Sequence, residues 1–225
     1  MASKLPDDDS PATPAPGAGV AGSGGMIGRI KALLLTPREE WTRIAAQRMT
    51  VKGMMTGWAA PLAAIGPVAT LVGQQLFGFR VFEIVYRPPI GSSIATAVVS
   101  YLTALIGVYV LALIIDNIAP QFGARRDKVQ ATKAAVFSFT AVWLAGGFFI
   151  VPQLGVLGLL GLYSFYLLWV GLPIVMKPAP GKAVTFAAVS IACGIIAFLI
   201  VSFVVTQVTA AFTPPVNSVG SVSVG

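Results

Sequence analysis

Long uncharged stretches dominate the pattern of the chain. Charged residues are absent from four stretches, which are 53–79, 88–115, 134–176 and 183–225. One membrane crossing needs about 20 mostly apolar residues. The first two stretches can hold one crossing each, the third can hold two, and the fourth can hold one crossing and a polar tail. The stretches are continuously apolar and lack the ten-residue alternation of barrel strands, so we predict five transmembrane helices.

Proline and glycine positions set the predicted helix boundaries. The five helices are expected at about 53–78, 94–115, 134–150, 154–176 and 183–206, with a tight turn at 152–153. Pro61 and Pro67 are expected to kink the first of them. The predicted fold class is therefore all-α, a polytopic membrane protein with a five-helix transmembrane domain at 53–207 preceded by short amphipathic helices.

The two ends of the chain differ from this domain. Residues 1–25 and 208–225 are rich in small and polar residues, and both are predicted to be disordered tails. Residues 26–52 have helical spacing of apolar residues, with Thr36 and Glu39 placed to form a capping box. This segment is predicted to form two short amphipathic helices on the membrane surface. The alternative is that these helices pack on the protein's own loops.

The distribution of basic residues predicts the orientation. Of the fifteen Lys and Arg residues, seven precede the first predicted helix, two lie in the first loop, four in the second and two in the fourth. Alternate loops therefore carry thirteen on one side and two on the other. Because cytoplasmic loops are enriched in Lys and Arg, we expect the N-terminus inside and the C-terminus outside.

Basic residues at the predicted cytoplasmic side are the candidate binding residues for anionic lipid headgroups or protein partners, since each adds attraction to a negative surface. These candidates are Arg29, Lys31, Arg38, Arg43, Arg125, Arg126 and Lys128. Asp116 and Asn117 end the second predicted helix, where they form either a polar site or a simple helix stop.

Small residues in the fourth predicted helix suggest close packing. Gly155, Gly158 and Gly161 recur at intervals of three residues. Small residues let membrane helices approach closely, and the tight turn before them brings the third and fourth helices together. We expect these glycines to pack that helical hairpin rather than to bind a ligand.

Composition argues against most catalytic chemistry. The chain is 56% hydrophobic and 10% charged, where a soluble domain has about 25% charged residues. It contains no histidine and one cysteine, Cys193, so catalytic triads, His-ligated zinc and paired thiolate ligands are excluded. We predict no cofactor and no metal. The basic residues lie at helix ends and are not interleaved with aromatic residues, so no nucleic-acid partner is expected.

Three segments together resemble the bacterial members of the Yip1 family of membrane proteins. The stretch 157–172, LGLLGLYSFYLLWVGL, is similar to the fourth helix of that family. Residues 176–183, MKPAPGKA, resemble the linker before its last helix, and 35–41, LTPREEW, resemble its N-terminal entry. The resemblance covers about residues 26–207 and implies an amphipathic entry followed by five membrane helices.

The resemblance implies a fold more than a reaction. Eukaryotic family members bind Rab GTPases, but their Asp-Leu-Tyr-Gly-Pro motif is absent from this chain, so Rab binding is not carried over. The short loops indicate a bacterial inner-membrane protein. We expect a non-enzymatic scaffold or adaptor that organises lipids, membrane protein partners or copies of itself. The alternative is an oligomeric pore or small-solute permease, and a lipid-modifying enzyme is a weaker third hypothesis.

Overall fold

Seven helices make up most of the residues that the structure describes. The computed structural model describes residues 25–81 and 84–212, with the backbone alone at 79–81, 84–86 and 208–212. The helices are α1 (Gly25–Leu35), α2 (Pro37–Ala46), α3 (Val51–Phe77), α4 (Ile90–Phe122), α5 (Lys128–Ile150), α6 (Pro152–Met176) and α7 (Ala183–Phe212). Within the described residues, α3 to α7 are the five helices that are long and apolar enough to cross a membrane, which confirms the predicted fold class.

The last helix is longer than the sequence pattern predicted. It runs to Phe212, so the predicted tail at 208–225 begins inside the helix. No glycine or proline interrupts the chain from 195 until Pro214, and nothing in the sequence therefore stops the helix earlier. The remaining predicted tail residues, 1–24 and 213–225, lie outside the described part of the chain.

The first spanning helix, α3, is irregular near its prolines. It consists of Val51–Met54, a π-helical turn Met55–Ala59, Ala60–Ala63 and, after a break, Ile65–Phe77. Pro61 has no N–H to donate, and its ring would crowd the carbonyl four residues earlier in a regular helix. The widened π turn directly before Pro61 accommodates this, and Pro67 lies just after the break, so both departures from regular geometry accompany a proline.

The spanning helices α5 and α6 meet in a 3₁₀-helical hairpin. α5 consists of Lys128–Ser138, Thr140–Ala145 and a 3₁₀ turn Gly146–Ile150, and α6 begins with the 3₁₀ helix Pro152–Leu162 before Tyr163–Met176. The sequence pattern did not predict this stretch of eleven residues with three residues per turn. The Val142 N–H, close to the break in α5, donates to Ser164 Oγ on α6 at 3.0 Å.

The three-residue spacing of the α6 glycines matches the 3₁₀ period. Residues three apart eclipse each other in a 3₁₀ helix, so Gly155, Gly158 and Gly161 form one line. A Cβ at Gly158 would lie 2.9 Å from the ring of Phe149, and one at Gly161 would lie 3.0 Å from Val142 Cγ2. The line of glycines therefore lets α5 approach α6 closely.

The end of the bundle that carries the α5–α6 turn also carries a short β-hairpin. Strands β1 (Phe79–Val81) and β2 (Ile84–Tyr86) pair antiparallel, with Phe79 opposite Tyr86. Gly78 ends α3 with a φ of 69°, a conformation that glycine adopts at little cost. The chain thereby turns from α3 into the hairpin, whereas the sequence pattern predicts only a loop here.

The opposite end of the bundle holds most of the largest buried side chains. Among the fully buried ones are Trp41, Trp58, Lys133, Phe137 and Phe186. All come from helix segments close to the loops that carry the basic residues. We call this end the basic end of the bundle.

Candidate functional site at the basic end of the bundle

The helices α1 and α2 form a hairpin that packs onto the basic end. α2 lies against α6 and also touches α5. Pro37 occupies the first turn of α2, as expected for a residue with a fixed φ. The predicted capping box is wrong, because Thr36 makes no side-chain cap hydrogen bond to α2 and its Oγ1 donates instead to the Ala32 carbonyl at 3.1 Å.

A buried ion pair joins the two helices of this hairpin. Arg29 is 3% exposed and Glu40 is 4% exposed, with Arg29 Nε 3.0 Å from Glu40 Oε1. Arg29 Nη2 also donates to Gln47 Oε1 at 2.5 Å. Burial lowers the pKa of the Arg29 guanidinium, and the charge of Glu40 acts in the opposite direction. The prediction that Arg29 binds headgroups is therefore wrong, because its charge is directed inward at a carboxylate.

A second buried cation, Lys133, fixes the end of α2. Lys133 is 1% exposed, and its Nζ donates to the carbonyl oxygens of Gln47 at 2.7 Å and Ala45 at 3.2 Å. The last carbonyls of a helix lack intrahelical partners and form the negative end of its dipole. The ammonium group of Lys133 supplies hydrogen bonds to these carbonyls and a positive charge beside the negative end of the dipole. We call Arg29, Glu40, Gln47 and Lys133 the polar cluster.

Three packed aromatic residues adjoin the polar cluster through Phe137. The ring of Phe137 lies 4.9 Å from that of Trp58 and 6.4 Å from that of Trp41, the latter edge to face. The guanidinium carbon of Arg29 lies 5.6 Å from the centre of the Phe137 ring, within cation–π range. Trp58 Nε1 donates to Thr140 Oγ1 at 3.0 Å, so this indole N–H is satisfied inside the bundle. We call Trp41, Trp58 and Phe137 the aromatic cluster.

Gly171 in α6 makes room for α2. A Cβ at this position would lie 2.2 Å from Cε2 of Trp41, much closer than two carbon atoms can approach. The indole of Trp41 is fully buried. The segment 35–41 and the stretch 157–172, which the sequence analysis treated separately, therefore meet in one contact.

The tip of the α1–α2 hairpin reaches down the side of the bundle. Tyr163 Oη donates to the Leu34 carbonyl at 3.0 Å. Tyr163 begins the 14-residue α-helical part of α6, so this contact lies about 20 Å from the end of that helix. Ile27 and Leu35 on α1 remain 70% and 79% exposed. α2 thus packs on the protein's own spanning helices, which differs both from the predicted membrane-surface helix and from its alternative of packing on loops, while α1 keeps an apolar surface.

Exposed cations lie on the docked α1–α2 hairpin and on the loops of the basic end. They are Lys31, Arg38, Arg43, Arg48, Lys52, Arg125, Arg126, Lys128, Lys177 and Lys182. The loops that carry them are joined, because the Ala179 N–H donates to the Phe122 carbonyl at 3.0 Å and Lys182 Nζ lies 3.4 Å from the Gln121 carbonyl. We call these cations the basic face. Of the candidate residues, only Arg29 is buried beneath it.

Asp116 and Asn117 belong to this end, where the α-helical part of α4 ends at Ile118 and a 3₁₀ turn Ala119–Phe122 follows. Asp116 is 3% exposed, and its Oδ2 lies 3.7 Å from Arg126 Nε. Arg126 also donates to Asn117 Oδ1, and Asn117 Nδ2 donates to the Leu113 carbonyl at 3.0 Å. Arg126 thus ties the loop after α4 to the end of that helix. The pair therefore lies at the end of the α-helix, as the interpretation of a helix stop expects, and it also holds the loop through Arg126.

Sequence reasoning missed Glu40, Gln47, Lys133 and Gly171. Lys133 did carry a signal, because a charge placed five residues into an apolar helix is costly and implies a partner.

Gly155, Gly158 and Gly161 lie toward the opposite end of the bundle, away from the basic face. Among the described residues, no group of three His, Cys, Asp or Glu side chains could hold a metal ion.

Comparison with known proteins identifies a family for the chain. No curated protein sequence and no solved structure matches the chain significantly. The family model of the Yip1 domain matches residues 31–203, which is most of the chain and includes α2, the spanning helices α3 to α6, most of α7 and both halves of the Trp41–Gly171 contact. The chain is a multi-pass membrane protein that belongs to the Yip1 family.

Proposed function

We propose that this Yip1-family protein is a non-enzymatic scaffold or adaptor that uses its basic face to gather anionic lipids and membrane protein partners. The observation that carries the proposal is the docked α1–α2 hairpin. Its buried polar and aromatic clusters hold two cation-bearing helices in a fixed position beside the basic loops. A folded platform loses less conformational freedom on binding than a mobile segment would.

The charge pattern supports the bacterial inner membrane as the location, with the basic end in the cytoplasm. The exposed Arg87 lies at the opposite end, while the cations of the basic face lie on the docked α1–α2 hairpin and on the loops of the basic end. Cytoplasmic loops carry an excess of Lys and Arg, and anionic headgroups attract each such residue by about 1 kcal/mol. Ile27 and Leu35 on α1 would enter the adjoining leaflet beside Lys31, as amphipathic surface helices do.

The test is a charge-neutralised variant purified in native lipid particles. Lys31, Arg38, Arg125 and Lys128 are changed together to Gln, because the structure gives these exposed side chains no carboxylate partner within salt-bridge distance among the described residues. The matched control is Arg87→Gln at the other end of the bundle. Mass spectrometry then measures the co-purifying lipids and proteins.

We expect the four-residue variant to lose at least about tenfold of its enrichment of phosphatidylglycerol over phosphatidylcholine, and to lose its reproducible protein partners. Arg87→Gln should behave as the wild type. Unchanged lipid preference and unchanged partners in the four-residue variant would contradict the proposal.

An oligomeric pore stays the alternative, since neutral side chains and backbone can line a pore. It predicts a homo-oligomer of fixed size with solute flux or conductance in liposomes. The scaffold proposal predicts that neither flux nor conductance rises above that of empty liposomes.

A further inference from the structure

The exposed large apolar side chains of the bundle form a belt that is shorter than the helices. On α4 they run from Ile90 to Tyr109, and on α6 from Leu154 to Trp169. With rises of about 1.5 Å per residue in an α-helix and about 2.0 Å in a 3₁₀ helix, these runs are about 28 Å and about 26 Å long. The hydrocarbon core of a bilayer is about 30 Å thick. The belt therefore marks the part of the bundle that contacts lipid tails.

Both runs end in an exposed aromatic residue on the side of the basic end, Tyr109 on α4 and Trp169 on α6. Tyrosine and tryptophan are enriched at the interface between membrane and water. Beyond Tyr109, α4 continues to Phe122, and in this described stretch no large apolar side chain is exposed, whereas Asn117 and Gln121 are. The hydrocarbon boundary on this side thus lies at the level of the two aromatic residues.

The last helix, α7, gives a similar boundary. From Ile195 onward its exposed positions carry large apolar side chains. Nearer its start the exposed residues are Thr185, Ala188 and Ala192, with Val184 beside the loop as an exception. From this boundary to the start of α7 is about 18 Å, and from Tyr109 to the end of α4 is about 20 Å. The basic end therefore projects about 20 Å beyond the hydrocarbon core.

The loops at the top of this projection lie above the lipid headgroups. The end of α4 and the loop after α6 are at one level, because the Ala179 N–H donates to the Phe122 carbonyl at 3.0 Å. A headgroup layer is only about 5–8 Å thick on each side of the bilayer. We call Arg125, Lys128 and Lys182, which these loops and the start of α5 carry, the loop platform. More than one Debye length, about 8 Å at physiological salt, separates the loop platform from the headgroups.

The tip of the α1–α2 hairpin lies much closer to the membrane. Tyr163 lies about 9 Å deeper along α6 than Trp169. Its hydroxyl donates to the Leu34 carbonyl at 3.0 Å, so the tip of the hairpin reaches the hydrocarbon boundary. The exposed Lys31 and Arg38 lie within one turn of this tip. These two cations are therefore near the headgroups, while the loop platform faces water.

The loop platform has an excess of positive charge on a fixed backbone. Its three cations have no carboxylate within salt-bridge distance among the described residues. The neighbouring Asp127 caps α5, since its Oδ1 accepts from the N–H groups of Val129 and Gln130 at 2.9 Å and 3.0 Å. A carboxylate-rich surface would supply the missing charge, and the fixed loops would lose little conformational freedom on binding it.

We propose that the loop platform binds an acidic segment of a protein partner, and that Lys31 and Arg38 at the hairpin tip make the lipid contacts of the basic face. This inference rests on the proposed scaffold function and assigns its two kinds of partner to separate places. Lipid headgroups are held below the loop platform by the projecting helices, whereas a protein segment in the cytoplasm reaches it freely.

The first test locates the hydrocarbon boundary. In a Cys193→Ala background, Ala188→Cys and Leu199→Cys each place one thiol on an exposed position of α7. The variants are treated with a membrane-impermeant maleimide in phosphatidylcholine nanodiscs. Ala188→Cys should react at least about tenfold faster, because the reactive thiolate forms in water and not in hydrocarbon. Equal rates at the two positions would overturn the proposal.

The second test separates the two groups of cations with variants that each remove two charges. The loop variant is Arg125→Gln, Lys128→Gln, and the hairpin variant is Lys31→Gln, Arg38→Gln. A fluorescent deca-glutamate peptide is titrated onto each protein in phosphatidylcholine nanodiscs, where no anionic lipid competes. Enrichment of phosphatidylglycerol over phosphatidylcholine is measured separately in native lipid particles.

The loop variant should bind the peptide at least about fivefold more weakly and keep its phosphatidylglycerol enrichment. The hairpin variant should bind the peptide as the wild type does and lose as much enrichment as the four-residue variant. If both variants lost peptide affinity and enrichment equally, this inference would fail while the scaffold proposal stood. If neither variant changed in either measurement, both would fail.

Discussion

Two spanning helices of the same bundle, α5 and α7, have opposite surroundings. In α5, 61% of the most apolar window is buried inside the protein, while in α7 the share is 6%. α5 carries Lys133, Ser138 and Thr140 on buried positions, and the exposed positions of α7 carry valine, isoleucine, leucine and phenylalanine. Membrane helices gain no hydrophobic energy by packing on each other, so a buried span depends on shape and polar contacts. The less hydrophobic helix is consequently the central one.

The comparison predicts its largest effect at the buried ion pair. Glu40→Ala should destabilise the protein by about 3–5 kcal/mol, because it leaves Arg29 buried without its carboxylate. Unfolding in detergent measures the free energy of unfolding. Glu39→Ala is the control, since Glu39 is adjacent and exposed and should change stability by less than about 0.5 kcal/mol. Equal effects of the two variants would show that the pair does not hold the hairpin.

The same truncation in the two helices sharpens the contrast. Phe137→Ala in α5 removes a fully buried ring and should cost about 3 kcal/mol of unfolding free energy. Phe203→Ala in α7 removes a ring that is 64% exposed, and lipid can replace its contacts, so the cost should stay below about 1 kcal/mol. A cost at Phe203 equal to that at Phe137 would mean that α7 is covered by protein in the folded state.

A smaller effect is expected where α2 meets α6. Gly171→Ala places a methyl group where Trp41 lies and should destabilise the protein by about 1–3 kcal/mol through overpacking. Gly107→Ala is the control, because a methyl group there meets open space. The intrinsic fluorescence of the protein should change in the first variant only, as Trp41 is displaced. An undisturbed spectrum in Gly171→Ala would contradict the contact.

Much of the fold was predictable because each crossing of the bilayer requires about 20 mostly apolar residues. Gaps between charges gave the number of spans and their approximate ends, and Pro152 and Pro178 gave two of the turns. The 3₁₀ helix at the start of α6 was not predicted, although the glycine interval of three matched its period. Apolar spacing alone does not distinguish that period from an α-helix in so short a stretch.

The candidate site was only partly predictable. The segment 26–52 showed helical periodicity and basic charge, so its helices and most of the basic face were expected. The sequence did not show which side of each helix would be buried, since Arg29 and Lys31 look equivalent along the chain. Burial of Arg29 depends on Glu40 from the next helix and Phe137 from α5, contacts that only the folded bundle brings together.

The most direct test of the account measures hydrogen exchange of α2 in lipid nanodiscs. The central claim is that the polar cluster fixes α2 on the bundle and so builds the basic face. We predict slow exchange of the α2 amides in the wild type and much faster exchange in Lys133→Met, which removes the donor to the Ala45 and Gln47 carbonyls, with α7 unchanged in both. Equally fast exchange of α2 in wild type and variant would show that the hairpin is not docked, and would contradict the account.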